Sequence, residues 1–383
     1  MWRNRICYLI ILQGALAFYI CFDGYLSFYT LLLIVFLPLV SLLLSLPGML
    51  GVRAVFFSQL AASRKGNSVE MGLTFSNRFY VPSGRAKVTL QVENTLTGEH
   101  WEEILRFTAS GQPIRVTHKL TAPACGQVEC RLKKGWVCDY AGLFSLPLFI
   151  GRKAPFLPVL FYPAVHPAKL DLEKPDTPSG EEDGMFAPRP GEDPSELFGL
   201  RDYRQGDRAS RIHWKLSEKT GQTLVKELGL PVEKRPCYLL EINGSGEESD
   251  ALLDVFCTLS ARMAEQGIPH QLAFLSRGGT LNLVNVDGEG DLLPALETLL
   301  TGLKTGSLPA ATEGQLPDDI SHGLYLCSKI NPHSLAALHG AAPGAGISTF
   351  QISAQEPEPG TGSDKTVHVR PGHIGDDLSG FRL

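Results

Sequence analysis

The chain has 383 residues, of which 44% are hydrophobic and 20% charged, and its net charge is −5. That length accommodates two or three domains of ~100–200 residues, and the slight acidity excludes a general electrostatic pull toward nucleic acid or anionic lipid. Among the eight cysteines, Cys125, Cys130 and Cys138 cluster without C-x-x-C spacing or a histidine pair, which points to buried thiols rather than to zinc or an oxidising compartment.

Residues 1–50 hold two nearly uncharged apolar runs, about 6–22 and 26–46, separated by Asp23-Gly24-Tyr25. Each approaches the ~20 residues that span a bilayer, and the short gap forces a transmembrane hairpin. Arg3 and Arg5 precede the first run and Arg53, Arg64 and Lys65 follow the second. The turn carries only Asp23, so the expectation is a two-pass cell-membrane protein with both termini and all soluble domains in the cytoplasm. A signal peptide cut near Ala15-Leu16-Ala17 is the rival reading; the apolar run continues through Ile20 and Phe22 without a polar cleavage region.

From residue 66 to 150 the hydrophobic period becomes two. Val69, Met71, Leu73 and Phe75 alternate with polar residues, as do Val88, Leu90 and Val92, and Val128, Cys130 and Leu132. Turn signals at Pro82-Ser83-Gly84, Thr97-Gly98 and Gly111-Gln112-Pro113 separate these runs, and the spacing predicts a small antiparallel β-sandwich with Trp136 and Phe144 in its core. Residues 163–190, with repeated prolines and the acidic Glu181-Glu182-Asp183, read as an extended linker.

Residues 191–235 contain the most specific residue order of the chain, Phe198 to Glu227. Asp207 is placed to cap a helix running from Arg208 to Thr220, and Gly221 to take the left-handed position that ends it. On such a helix Ala209, Ile212 and Leu216 share one face, Arg208, Arg211, Lys215 and Lys219 line its edge, and Trp214 projects elsewhere. An intramolecular charged face accounts for the cations alone; a Trp beside Arg is the composition of an interaction hot spot. Gly206 serves the turn, since no phosphate-binding glycine pattern surrounds it.

The run Arg201-Asp202-Tyr203-Arg204-Gln205-Gly206-Asp207, then Arg211-Ile212-His213-Trp214-Lys215, then Thr223-Leu224-Val225-Lys226-Glu227 resembles the signature of the domain of unknown function 58 family, with Ser217-Glu218-Lys219 in place of its usual Ser-Ala-Arg. Upstream, Lys134-Gly135-Trp136, Asp139 and Gly142-Leu143-Phe144 resemble the segment that precedes the signature there.

Residues 236–383 alternate strand and helix: an apolar run Cys237–Ile242, a helix Asp250–Gln266, strands 271–275 and 281–286, a leucine-striped helix from Leu292 to Leu303, then strand 323–327, helix 334–339 and strand 346–352. That order predicts a doubly wound α/β sheet with any site in its switch-point loops. The family resemblance implies that this half is von Willebrand factor A-like, a type whose metal site uses Asp-x-Ser-x-Ser. The matching positions here are Glu241, Asn243 and Ser245, with Lys329 where an acidic residue is expected, so the implied site is degenerate and no metal or other cofactor is expected.

The expected fold class is therefore α+β multidomain: a transmembrane hairpin, an antiparallel sandwich and a von Willebrand factor A-like α/β domain. The resemblance implies a non-enzymatic, membrane-anchored interaction protein partnered by a MoxR-type AAA+ ATPase in assembly or maturation of other proteins, with no nucleic-acid partner. Its contact residues are expected among Arg201, Tyr203, Arg204, Gly206, Asp207, Arg211, His213, Trp214 and Lys215. Two alternatives stand beside it, a metal-dependent ligand-binding domain and a hydrolase using Asp207 and His213.

Overall fold

The computed structural model describes every residue except 1, 23, 58–60, 109–111, 149–155, 169–185, 192, 232–233, 310–314, 318, 356–364 and 383. The chain forms two compact units, one of residues 1–166 with 244–257 and 296–302, the other of 167–243, 258–295 and 303–383.

In the first unit α1 (Trp2–Cys21) and α2 (Tyr25–Gly51) form an antiparallel pair, both long and apolar enough to cross a membrane. Both exceed the expected spans, for a packing reason. At the front of α1, Asn4 Nδ2 and Arg5 Nε donate to the carbonyls of Ala141 and Leu143 at 2.9 and 3.0 Å. At its other end α2 continues five residues past Leu46 to Gly51, where Met49 joins the sandwich core.

The sandwich strands are β1 (Val52–Phe57), β2 (Ala61–Arg64), β3 (Ser68–Asn77), β4 (Arg85–Asn94), β5 (His100–Thr108), β6 (Ile114–Thr121), β7 (Gly126–Cys138), β8 (Ser145–Pro147) and β9 (Phe156–Tyr162). One sheet has the order β1-β3-β6, the other β2-β9-β7-β4-β5 with β8 on β7. Inward residues of both, Val69, Met71, Leu73 and Leu120 against Val88, Leu90, Val92 and Val128, make one core, and Phe75 stacks on Phe107 with ring centroids 3.7 Å apart. The fold runs well beyond the expected 66–150, since β1, β2 and β9 complete its two sheets. Trp136 and Phe144 are exposed rather than core. Between Leu132 and Lys134 the pairing of β7 with β4 shifts register, which turns Gly135 and Val137 inward and Trp136 outward.

Within this unit Lys65 Nζ donates to Asp250 at 2.6 Å and to Asp254 at 2.5 Å. Asp250 also accepts from the Cys125 amide at 2.7 Å and Asp254 from the Ala164 amide at 2.8 Å, with His166 Nε2 at 3.1 Å from Asp254.

The second unit begins with a three-stranded antiparallel sheet, β10 (Phe186–Gly191), β11 (Asp193–Asp202) and β12 (Leu224–Pro231), with β12 in the middle. Phe186–Pro190 is thus strand, not linker; as an edge strand it tolerates its prolines. Glu181, Glu182 and Asp183 lie outside the described residues.

The remaining strands, β13 (Arg235–Glu241), β14 (His270–Leu275), β15 (Leu281–Val286), β16 (Ile320–Cys327), β17 (Gly346–Ile352) and β18 (Thr366–Val369), form a sheet in the order β15-β14-β13-β16-β17-β18. All neighbours are parallel except the edge strand β15. The helices α4 (Gly246–Glu265), α5 (Glu289–Gly302) and α6 (Pro332–Ala341) follow the strands expected, β18 and the short α7 (Ile374–Leu378) are additional, and the α4 stripe Leu252, Leu253, Phe256, Leu259 and Met263 is buried. On α5 the stripe is narrower than expected: Leu296, Leu299 and Leu300 are buried and Leu293 is exposed.

Candidate functional site

The end of β11 carries Arg201 and the segment between β11 and β12 the other eight expected contact residues, and the local structure of that segment differs from one continuous helix. A 3-10 turn covers Ala209–Arg211, the chain reverts to extended backbone at Ile212, and a separate helix α3 (Trp214–Thr220) follows. The break has a cause. Ile212 bridges to Val225 of β12, and the His213 amide donates to the Leu224 carbonyl at 2.8 Å, so the chain is pulled into the sheet edge where a helix would continue. Ile212 is buried there, whereas Ala209 is exposed. Gly221 does close α3 in the left-handed conformation, φ +68°, where a side chain would be strained.

Asp207 does not cap a helix. Its two carboxylate oxygens take the Arg201 guanidinium in a fork at 2.6 and 2.7 Å, and one also accepts the Arg204 amide at 2.8 Å. The Arg201 bonds, then the Arg204 amide, hold the Asp207 carboxyl down at about 2. The pairing ties the end of β11 to the turn at Gly206, φ +112°. His213 is engaged elsewhere: it precedes α3 and its Nδ1 accepts the Leu216 amide at 3.3 Å. Asp207 and His213 therefore form no hydrogen-bonded acid–base pair in this arrangement.

A second staple comes from Ser217. Its hydroxyl donates to the His213 carbonyl at 3.0 Å and accepts the Leu224 amide at 2.9 Å, fastening α3 to β12. What remains outward on this braced loop is Trp214, 66% exposed, with Tyr203, Arg204 and Lys215 also exposed.

The low Asp207 value sets a pH dependence. A carboxyl held below its unfolded value contributes stability that is complete above about pH 4 and is lost as the pH falls toward 2. Acidification across that window is expected to raise hydrogen exchange at the Arg204 and Asp207 amides before that of the β13–β16 core, and Asp207→Asn is expected to show the raised exchange already at neutral pH.

The sheet reverses its winding between β13 and β16, and the residues expected at a degenerate metal loop sit at that switch point. Glu241, 1% exposed, is saturated by protein donors. Its Oε1 accepts from the Leu308 amide at 2.9 Å and Asn331 Nδ2 at 3.0 Å, and its Oε2 from the Ser334 hydroxyl at 2.8 Å and the Tyr325 hydroxyl. Burial, then Cys327 and Glu241 nearby, push the Tyr325 hydroxyl far above its ordinary value, so it stays protonated as a donor. Asn243 Oδ1 accepts the Ser328 and Lys329 amides at 3.1 and 2.9 Å, and its Nδ2 donates to the Lys329 carbonyl at 2.6 Å. Ser245 and Glu248 cap α4 reciprocally: Glu248 Oε2 accepts the Ser245 amide at 2.8 Å and Ser245 Oγ the Glu248 amide at 3.3 Å. The three side chains are spent on loops and a helix end, and among the described residues no cluster of three or more His, Cys, Asp or Glu is arranged to hold a metal ion. The roles of Tyr325, Ser334 and Asn331 were not visible in the sequence; the Ser-x-x-Glu spacing at 245–248 was the one signal that could have identified the cap.

Cys125 and Cys130 are buried and Cys138 half-buried, all as free thiols. Burial and the charge of Glu103 push Cys130 up to about 12, and burial raises the other two as well.

No family model matches the chain, and no curated protein matches it at the significance required. Among solved structures it is similar over 29% of its length to a cohesin module from a family 33 glycoside hydrolase of Clostridium perfringens ATCC13124, of which it covers 96%, at 12% identity and a TM-score of 0.21. It is also similar to a β-glucosidase from Listeria innocua (14% identity, 29% of this chain, 16% of that one, TM-score 0.17). A third likeness is to the alkylpurine DNA glycosylase AlkC of Pseudomonas fluorescens (12% identity, 36% of this chain, 40% of that one, TM-score 0.19). Likenesses at this level bear on neither fold nor activity.

Proposed function

We propose that the protein is a non-enzymatic, membrane-anchored interaction platform of the domain of unknown function 58 type, that its soluble part is cytoplasmic, and that it works there with a MoxR-type AAA+ ATPase. The observation that carries this reading is Trp214: a large aromatic held outward beside Lys215 on a loop braced by the Asp207–Arg201 fork and the Ser217 staple. An aromatic carried on a braced backbone gives up little main-chain freedom on binding, which favours a hot spot. The winding reversal at β13 and β16 supports a von Willebrand factor A-like second unit, and the engagement of Glu241, Asn243 and Ser245 by protein groups favours a platform over a metal-dependent receptor.

Affinity capture of the full-length protein from detergent-solubilised membranes tests it, with the wild type compared with Trp214→Ala combined with Arg211→Ala. Loss of a hot spot of ~2 kcal/mol or more corresponds to a drop of roughly thirtyfold or more in affinity, so ATPase recovery is expected to fall close to background. Equal recovery from both would remove this surface from the reading.

A further inference from the structure

The loops of the sandwich that grip the helical hairpin carry exposed aromatic side chains, and we propose that they form a collar seated at the boundary between the acyl chains and the headgroups of the bilayer. The inference rests on the reading that α1 and α2 span the membrane.

Two loops hold the hairpin. In the loop after β7, Asp139 Oδ2 accepts the Ser41 hydroxyl at 2.7 Å, the Ala141 amide donates to Ser41 Oγ at 3.1 Å, and the carbonyls of Ala141 and Leu143 take Asn4 and Arg5. The loop after β3 grips lower on α2. Asn77 Nδ2 donates to the Gly48 carbonyl at 3.0 Å, and Gly48 lies so close to the Pro82 carbonyl that a Cβ there would approach it to 2.6 Å. The Phe79 ring lies against Gly51, and the Tyr140 hydroxyl donates to the Pro82 carbonyl at 2.6 Å, joining the two loops.

Helix length places these grips at the membrane boundary. At ~1.5 Å per residue, Tyr25 through Leu46 rises about 33 Å, slightly more than the ~30 Å hydrocarbon core. Ser41 then lies about 7 Å on the hydrocarbon side of that edge and Gly51 about 7 Å on the headgroup side, so the two grips straddle the boundary between acyl chains and headgroups. The faces of α2 agree with this placement. Between the two grips Leu43, Leu44 and Leu50 remain exposed while Ser45, Gly48 and Met49 are buried, so this stretch keeps an uncovered apolar side. Water is a poor neighbour for that side and lipid a good one.

Around these grips the sandwich exposes Phe79, Tyr80, Tyr140 and Phe144. Tyr80 and Tyr140 pair an apolar ring with a polar hydroxyl, the composition of an interfacial belt, and Phe79 and Phe144 add apolar area beside them. The collar fixes how far the sandwich stands from the bilayer, and its occupant is the lipid that already surrounds α2.

Photocrosslinking of the full-length protein in phospholipid vesicles decides the matter. A benzophenone-bearing phenylalanine is placed singly at Phe144, at Tyr80, at the exposed Leu16 within α1, and at Lys119 on the exposed side of β6, and adducts are identified by mass spectrometry. Lipid adducts are expected at 144 and 80 as at 16, with none at 119. Lipid at 16 without lipid at 144 and 80 would overturn the collar and leave the spanning hairpin intact, as would protein adducts in place of lipid at those two positions. Absence of lipid at 16 would overturn both.

Discussion

Glu241→Ala is expected to destabilise the second unit by ~3–5 kcal/mol, while Glu241→Gln costs about 1 kcal/mol. The difference follows from which partners can adapt. The Leu308 amide and Asn331 Nδ2 are N–H donors and cannot become acceptors; with alanine both lose their buried partner. The other two partners are the hydroxyls of Tyr325 and Ser334, which can rotate to accept from the glutamine amide while its oxygen faces the two N–H groups. Urea denaturation of the wild type and the two variants checks the ranking; equal costs would refute it. Because protein donors already fill the carboxyl group, millimolar magnesium is expected to leave the wild-type midpoint unchanged. A ligand bound to the folded state would raise it.

The second large effect is expected at Lys65. Its ammonium is shared by Asp250 and Asp254, whose side chains are 18% and 3% exposed. Lys65→Met would leave two neighbouring carboxylates without their cation, at a cost of ~3–5 kcal/mol. Adding Asp254→Asn to that variant removes one of the stranded charges and is expected to recover part of the loss, a non-additivity that an exposed ion pair would not show. Burial works against the charge on both partners. At Lys65 it is outweighed by Asp254 and Asp250, so the ammonium is held above its ordinary range; at Asp254 burial wins over Lys65 and His166, and the carboxyl is raised. For Lys65 the linkage is direct: a cation with a raised folded value adds stability that is full below about pH 10.5 and disappears as the pH climbs through the folded value. Wild type is therefore expected to lose more of its midpoint than Lys65→Met between neutral pH and pH 11.

Legibility in the sequence tracked the range of the forces involved. Period-two runs such as Val69-x-Met71-x-Leu73 reported one buried face of a strand and placed β3, β4 and part of β7 without reference to the rest of the chain. In the same way the apolar runs announced α1 and α2, and the helical stripes α4 and most of α5. The strand β9 was opaque: Phe156 to Tyr162 is continuously apolar with Pro158 inside it, and nothing local marks it as the partner of β7. The inward reading of Trp136 failed because one register shift against β4 inverts every later side chain, and such a shift leaves no trace in composition.

At the candidate site the cap assigned to Asp207 was reasonable chemistry with the wrong donor, since the hairpin brings Arg201 back to it. Glu241 and Asn243 were singled out as positions of a degenerate metal loop; their partners, from Leu308 to Ser334, lie far along the chain and left no local signal. Gly221 was readable because the need for a left-handed residue is local.

The short strand β2 finds its parallel neighbour only in β9, Ala61 facing Val159 and Arg64 facing Tyr162. On the ribosome these partners emerge nearly a hundred residues apart, about 5–20 seconds at ~5–20 residues per second. Until then the strands between them have one unprotected rim, and a fragment cut at residue 150 would keep it permanently. A nascent chain stalled before residue 156 still lacks that cover, and so would any fragment ending short of Tyr162.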